Sequence, residues 1–140
     1  MVDFDKEIVN YLTNLHKVLD MSNEFLWDGG CFHTAESIND DLRLFDNGGK
    51  ICFVENYDEY GLKDYHCFIY YNGKYYDTSL AKGSEKMSDL KFFKVYMPSS
   101  SESFLKKHVV IVDNEKDLYD YNDKIKAEFK IASDRYQEGH

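Results

Sequence analysis

The sequence predicts an α+β domain in which N-terminal helices pack on an antiparallel sheet and a C-terminal helix closes the structure. Three observations lead to this class. Apolar residues recur with helical spacing at both ends of the chain, short β-branched and aromatic runs fill its middle, and an Asn-Gly pair separates two of those runs. No repeat or linker divides the 140 residues, so we expect a single domain over residues 1–140.

Two helices are predicted in the N-terminal third of the chain. Between Asp3 and about Met21, one apolar stripe follows the helical period: Phe4, Ile8, Tyr11, Leu12, Leu15, Val18 and Leu19. After the loop SNEFLWDGG a second stripe runs at steps of four and three, through Cys31, Ala35, Ile38, Leu42 and Phe45, until Asn47-Gly48-Gly49 ends it. Cys31 therefore begins the second helix and lies on its buried side.

Four segments of the middle region are typical of strands. The run Lys50–Tyr57 is short, β-branched and aromatic. The segment YHCFIYYNGKYYDTS predicts a tight hairpin, because Asn72-Gly73 tolerates the positive φ angles of a type I′ turn. We expect further strands at Phe92–Met97 and His108–Asn114, on either side of a Ser-rich turn.

The last segment predicts a third helix. Its apolar face is formed by Leu118, Tyr121, Ile125, Phe129, Ala132 and Tyr136. The opposite face mixes Asp, Glu and Lys, which is typical of a solvated surface.

Composition limits the classes of partner. The hydrophobic fraction of 43%, with 12 Tyr and 10 Phe, indicates a packed core. The net charge of −9 argues against nucleic acid or an anionic membrane as the main partner and favours a basic ligand, protein or peptide. No run of 18 apolar residues occurs, and the N-terminus is acidic and amphipathic, so we expect no membrane segment and a cytoplasmic location. The three cysteines are expected to be free thiols.

The hairpin register brings an imidazole next to a carboxylate. A two-residue loop pairs Ile69 with Tyr76 and Phe68 with Asp77. Because side chains alternate along a strand, His66 and Asp77 become diagonal neighbours on one face. A carboxylate in that position holds the tautomer of a histidine and stabilises its charged form, as in the second and third members of a nucleophilic triad.

Cys31 is the candidate for the first member. At the beginning of a helix, the macrodipole and the free backbone N–H groups favour a thiolate, and an imidazolium nearby favours it further. The glycine pair before Cys31 allows a substrate backbone to approach closely.

The motifs GGCFHTAESI, YHCFIYY and YYDTS contain these three residues in the order Cys, His, Asp. In this order the sequence resembles the transglutaminase-like branch of the papain-like cysteine enzymes, over about Leu26 to Ser79. The resemblance implies a papain-like core and a triad of Cys31, His66 and Asp77 acting on an amide, isopeptide or thioester bond of a protein or peptide-like substrate, with no cofactor. It leaves open whether water or an amine accepts the acyl group.

The sequence departs from papain around the nucleophile. Phe32 follows the cysteine where papain has Trp, and Phe25 stands six residues upstream where papain has the Gln of its oxyanion hole. Trp27 or Asn23 could act with the Cys31 backbone N–H, and nothing in the sequence selects between them.

Less specific interpretations compete with this assignment. A free cysteine is more often a core residue, which is the expectation for Cys52 and Cys67 and the alternative for Cys31. Cys31, His33, His66 and Cys67 could be counted as zinc ligands, but neighbouring residues of a strand point to opposite faces, so we expect no metal site.

The chain could instead be a non-catalytic acidic binding protein, of the immunity or anti-defence type, that neutralises a basic partner. Negative charge accelerates the encounter with such a partner, and tyrosines supply affinity at interfaces. The oligomeric state is left open.

Overall fold

The computed structural model describes residues 3–19 and 31–139. The helices are α1 (Phe4–Leu19), α2 (Cys31–Leu42), α3 (Lys91–Tyr96), α4 (Glu102–His108) and α5 (Glu115–Glu138). The strands are β1 (Lys50–Asp58), β2 (Gly61–Tyr71), β3 (Lys74–Asp77), β4 (Leu80–Ser84) and β5 (Val109–Val112). Short 3₁₀ turns span Phe45–Asn47 and Met87–Asp89.

The five strands form one sheet in the order β4-β3-β2-β1-β5, and every pair of neighbours is antiparallel. The predicted α+β class with an antiparallel sheet is therefore confirmed. Among the described helices, none is long and apolar enough to cross a lipid bilayer.

Both faces of the sheet are covered, and β2 lies in the middle. The residues on one face pack under α1, α2 and α5, and those on the other pack under α3 and α4. Consequently the run Tyr65–Ile69 is buried throughout, with Cys67 in the first core and Phe68 in the second. A strand buried on both sides has no alternation of polar and apolar residues.

The hairpin between β2 and β3 forms as predicted. Asn72 has a φ of 50° and Gly73 a φ of 82°, both positive as a type I′ turn requires. Ile69 pairs with Tyr76, which is the predicted register.

The next predicted pair, Phe68 with Asp77, is wrong. The ladder between β2 and β3 covers Ile69 to Tyr71 and does not include this pair; at the other edge of β3, Asp77 pairs with Leu80 of β4. A tight turn follows Asp77, whose Oδ1 accepts hydrogen bonds from the backbone N–H groups of Ser79 and Leu80.

The predicted strand Phe92–Met97 is also wrong, since this segment forms helix α3. Phe92 and Phe93 are consecutive and both buried, and Phe92 contacts Tyr96 one helical turn on, with ring centroids 4.8 Å apart. Val95 is 54% exposed, which a half-buried helix permits. A short apolar run does not by itself distinguish a helix from a strand.

Other element boundaries differ from the expectations. Helix α2 ends at Leu42 rather than Phe45, because Arg43 takes a left-handed conformation with a φ of 55°. Strand β5 begins at Val109, after helix α4, which was not expected and is capped by Ser101 accepting from the Phe104 N–H. Strand β4 was not expected either, since its sequence LAKGS has no β-branched or aromatic residue.

The predicted terminal helices are present. Helix α1 buries Phe4, Ile8 and Leu12 of the predicted stripe, and the end expected near Met21 lies outside the described residues. Helix α5 buries Leu118, Ile125 and Ala132, while Tyr136 at its far end is 53% exposed and packs on Tyr60.

Two glycines with nearly equal φ angles offer a matched test of packing on the sheet. Gly83 (φ +77°) lies against the ring of fully buried Tyr76, so a Cβ at this position would overlap that ring, whereas a Cβ on Gly73 (φ +82°) would meet nothing within 4 Å. Gly73→Ala should lower the free energy of unfolding by about 1–2 kcal/mol through backbone strain alone. Gly83→Ala should lose about 1–3 kcal/mol more through overpacking. Urea denaturation measures both, and equal losses would show that the contact with Tyr76 is not tight.

Candidate active site

The centre of the candidate site is a buried pair formed by His66 and Asp77. His66 Nε2 lies 2.7 Å from Asp77 Oδ2, and the side chains are 4% and 6% exposed. The second carboxylate oxygen, Oδ1, accepts from the Ser79 N–H at 2.8 Å, the Leu80 N–H at 3.0 Å and the Ser79 hydroxyl at 2.5 Å. Asp77 is thus held at both oxygens, as a residue that orients a histidine should be.

The imidazole of His66 is held in plane by two phenylalanines. Its ring stacks on Phe68 at 5.8 Å and on Phe92 of α3 at 5.4 Å, with interplanar angles of 19° and 9°. Helix α3 therefore contributes to the site, because its Phe92 ring packs flat against the imidazole of His66.

Cys31 is the third member of the cluster. It is the first residue of α2, whose first turn contains no acidic side chain. Cys31 lines one cavity with His66 and Asp77, and its proximity raises the pKa of the histidine. Since Asp77 occupies Nε2, the ring atom available for proton exchange with the thiol is the buried Nδ1.

Burial and the neighbouring charges shift the pKa values of His66 and Asp77 in opposite directions. Burial lowers the pKa of His66, but hydrogen bonds to Asp77 and Cys31 and the charges of both more than offset it, giving a pKa of about 9. Burial likewise raises the pKa of Asp77, and the hydrogen bonds and charge from His66 and Ser79 bring it below its ordinary value. At neutral pH the pair is therefore an imidazolium and a carboxylate.

Tyr65 lies in the same core as Cys31, under α1, α2 and α5. Burial raises the pKa of the Tyr65 phenol, and the charges of Cys31 and Cys67 and a hydrogen bond to Cys31 raise it further. Tyr65 and His66 are consecutive strand residues and leave opposite faces of the sheet.

The cluster is enclosed. Cys31 is 4% exposed, and the cavity that it shares with His66 and Asp77 has a volume of about 10 Å³. That volume suits about one water molecule. A substrate carbonyl can reach the sulfur only if neighbouring groups move.

The other two cysteines are core residues, as expected. Cys52 is fully buried, and burial raises its pKa to about 12. Cys67 is 2% exposed, and its pKa is raised well above the ordinary value by burial and by the charges of Cys31 and Cys52.

The four residues considered as zinc ligands, Cys31, His33, His66 and Cys67, do not converge on one point. Cys67 packs in the core under α1, α2 and α5, while His66 stacks on the opposite face. The side chain of His33 is 71% exposed and faces Glu36 at 3.6 Å. Within residues 3–19 and 31–139, no three His, Cys, Asp or Glu side chains are arranged to hold a metal ion.

Trp27 and Asn23, the oxyanion candidates, lie outside the described residues. Three other site residues were not identified from the sequence: Ser79, Phe92 and Tyr65. A signal existed only for Ser79, because the order Asp-Thr-Ser after a strand is typical of a turn in which the Asp side chain accepts from the backbone two residues on.

Comparison of the chain with protein-family models, with curated proteins and with solved structures finds no match. The arguments for function therefore come from the geometry of the site.

The titration of His66 tests the electrostatic account of the site. In the wild-type protein its ring protons should titrate with a midpoint of about 9. In Asp77→Asn the midpoint should fall by about one to three pH units, because the opposite charge is lost while burial remains. NMR of the imidazole Cε1–H resonances measures this, and the resonance of exposed His33 serves as an internal control.

The same shift has a consequence for stability. A histidine with a raised pKa stabilises the fold fully below its unfolded value of 6.5, and that contribution is lost as the pH rises through about 9. The free energy of unfolding should therefore decline over this range in the wild-type protein and decline less in Asp77→Asn. Identical pH profiles for the two proteins would contradict the ion pair.

Proposed function

We propose that the chain is a cysteine-dependent hydrolase or acyltransferase with a transglutaminase-like variant of the papain fold, acting on an amide, isopeptide or thioester bond. One observation carries the proposal. His66 contacts the carboxylate of Asp77 at 2.7 Å, and both residues line one small cavity with Cys31, the first residue of a helix.

The proposed chemistry assigns one role to each residue. The Cys31 thiolate attacks the carbonyl carbon, forming a C–S bond, and the His66 imidazolium gives its Nδ1 proton to the leaving nitrogen or sulfur as that bond breaks. Water or an amine then attacks the thioester, His66 takes the proton from the attacking group, and the thiolate is regenerated. Asp77 keeps Nε2–H directed away from Cys31, so that Nδ1 is the atom that exchanges the proton.

The order of elements supports the assignment to this fold group. The cysteine begins a helix that packs on the sheet, the histidine lies on β2, and the aspartate ends β3 one hairpin arm later. This part of the proposal is an analogy of architecture, and function must be argued from the site itself.

A non-catalytic acidic binding protein is the second candidate, and the burial of the cluster favours it. A nucleophile that is 4% exposed in a cavity of about 10 Å³ is not accessible in this conformation. The net charge of −9 suits the capture of a basic partner.

Alkylation of the three cysteines distinguishes the two candidates. If Cys31 is a nucleophile paired with His66, iodoacetamide should modify it at pH 6–8 at least about tenfold faster than Cys52 or Cys67, because a free thiol is mostly protonated below its pKa of about 8.5. Mass spectrometry of the digested protein gives the rate for each cysteine. The advantage should disappear in His66→Ala and remain in the control His33→Ala, whose side chain lies on the surface.

Equal and slow labelling of all three thiols in the native protein, with fast labelling of all three in urea, would contradict the enzyme. That result would indicate a sealed core and support the binding protein. Circular dichroism of each variant verifies that its fold is retained.

A further inference from the structure

Strand β5 forms an open edge of the sheet. It pairs with β1 along one side, and no other strand among the described residues pairs with its second side. The backbone groups of successive residues in an antiparallel strand point alternately to one neighbour and to the other. Two of the four residues of β5 therefore direct their N–H and C=O groups to the open side, where a further strand can bond to them.

The residues of β5 favour pairing with another strand. All four, Val109–Val112, are β-branched, which is a side-chain type that strands prefer. Val110 is 39% exposed and Ile111 is 52% exposed. Edge strands are usually protected from pairing by a charged side chain, a proline or a bulge. Strand β5 contains neither charge nor proline, and its register with β1 is regular.

The other edge of the sheet has such protection. Strand β4 contains Lys82, and its Gly83 has a φ of 77°. The register between β4 and β3 is irregular between Tyr75 and Asp77, and helix α1 contacts β4. These features hinder the approach of a further strand. Of the two edges, β5 is therefore the one that can accept a partner.

Charges of opposite sign flank β5 and indicate what that partner is. Lys106 and Lys107 precede the strand, Asp113 and Glu115 follow it, and all four residues are exposed. When two copies of β5 pair antiparallel, the basic end of each copy lies beside the acidic end of the other. Opposite charges across a strand pair are stabilising and like charges are destabilising. This segment is therefore complementary to itself in the antiparallel orientation.

The geometry of an antiparallel sheet restricts the register of such a pair. Residues that lie opposite each other share a face of the sheet, so a two-fold axis passes through a residue near the centre of the strand, Val110 or Ile111. Counted along the chain, an axis at Ile111 brings Lys107 level with Glu115 of the other copy, and an axis at Val110 brings it level with Asp113. In both registers a lysine meets the acidic end.

A groove next to the edge leaves room for the side chains of a second strand. It measures about 370 Å³ and lies between β5, from Val110 to Val112, and the part of α5 that contains Asp117 and Tyr121. Asp117 is exposed and continues the acidic end of the strand.

The net charge of −9 opposes the approach of two copies over long distances. Salt at physiological strength screens this repulsion beyond about 8 Å. Direct contacts at the strand ends lie within that distance, so the complementary charges there still act.

We propose that β5 pairs antiparallel with β5 of a second copy of this chain, so that two five-stranded sheets join into one sheet of ten strands about a two-fold axis. The interface is small, since it is built on four residues of strand, and its Kd should be about 1–100 μM. His66 on β2 and Asp77 on β3 lie on strands that are not adjacent to this edge. Pairing of two copies is therefore independent of the proposed function.

Sedimentation equilibrium of the full chain over a range of concentrations tests the pairing. The wild-type protein should change from monomer to dimer as its concentration rises. Ile111→Lys should raise the Kd of the dimer at least about tenfold, because it places a charge at the centre of the new strand pair. Val95→Lys is the matched control, since Val95 is 54% exposed on α3, and it should leave the Kd unchanged.

Charge reversals test the antiparallel orientation. Lys107→Glu and Asp113→Lys should each raise the Kd about two- to tenfold, because each brings like charges together at both ends of the pair. The double variant should have a Kd closer to that of the wild type than either single variant. Circular dichroism verifies that each variant keeps its fold.

Three results would overturn the proposed pairing. One is a protein that remains monomeric at about 500 μM. Another is a dimer whose Kd is unchanged by Ile111→Lys and by Lys107→Glu, because such a dimer would form through a different surface. The third is growth into assemblies larger than a dimer, since a two-fold contact closes with two copies.

Discussion

The buried contact between His66 and Asp77 is the constraint on which the rest of the candidate site depends. Two charged groups with about 4% and 6% exposure persist in a protein interior only when each neutralises the other and their remaining polar atoms are bonded. The carboxylate meets this condition through the turn to Ser79, and the imidazolium is paired with it through Nε2. Removing either partner would leave a buried charge uncompensated, so the pair binds the hairpin, the following turn and the start of α2 into one unit.

The geometry of this pair suits a chemical role and a structural role alike. An imidazolium beside a cysteine at the beginning of a helix is the arrangement that nucleophilic catalysis requires. The enclosure of Cys31 is what a purely structural cluster would show. A larger cleft of about 620 Å³ lies next to it, lined by the beginning of α2, by Tyr65 and by α5. A catalytic role would require the small cavity around Cys31 to open to a substrate, whereas a binding role would not.

Acidic residues and tyrosines are abundant in this chain, and the structure uses them together. Tyr76 donates to Asp5 and so joins β3 to α1, Tyr11 donates to Asp41 at 2.7 Å, and Tyr119 donates to Glu36 at 2.7 Å. Each bond links elements far apart in sequence. Part of the acidic and tyrosine content that suggested a basic partner is therefore engaged in internal hydrogen bonds.

Local patterns in the sequence determined the helices α1, α2 and α5, the strands β1 and β2, and the Asn72-Gly73 hairpin, because periodicity and turn preference depend on neighbouring residues alone. From that hairpin the proximity of His66 and Asp77 could be predicted. Only the tertiary structure decided that residues 91–96 form a helix, that Phe92 stacks on the histidine, and that Cys31 is enclosed in the interior. Those outcomes depend on which surfaces meet across the sheet, and a single sequence carries no local signal of such contacts.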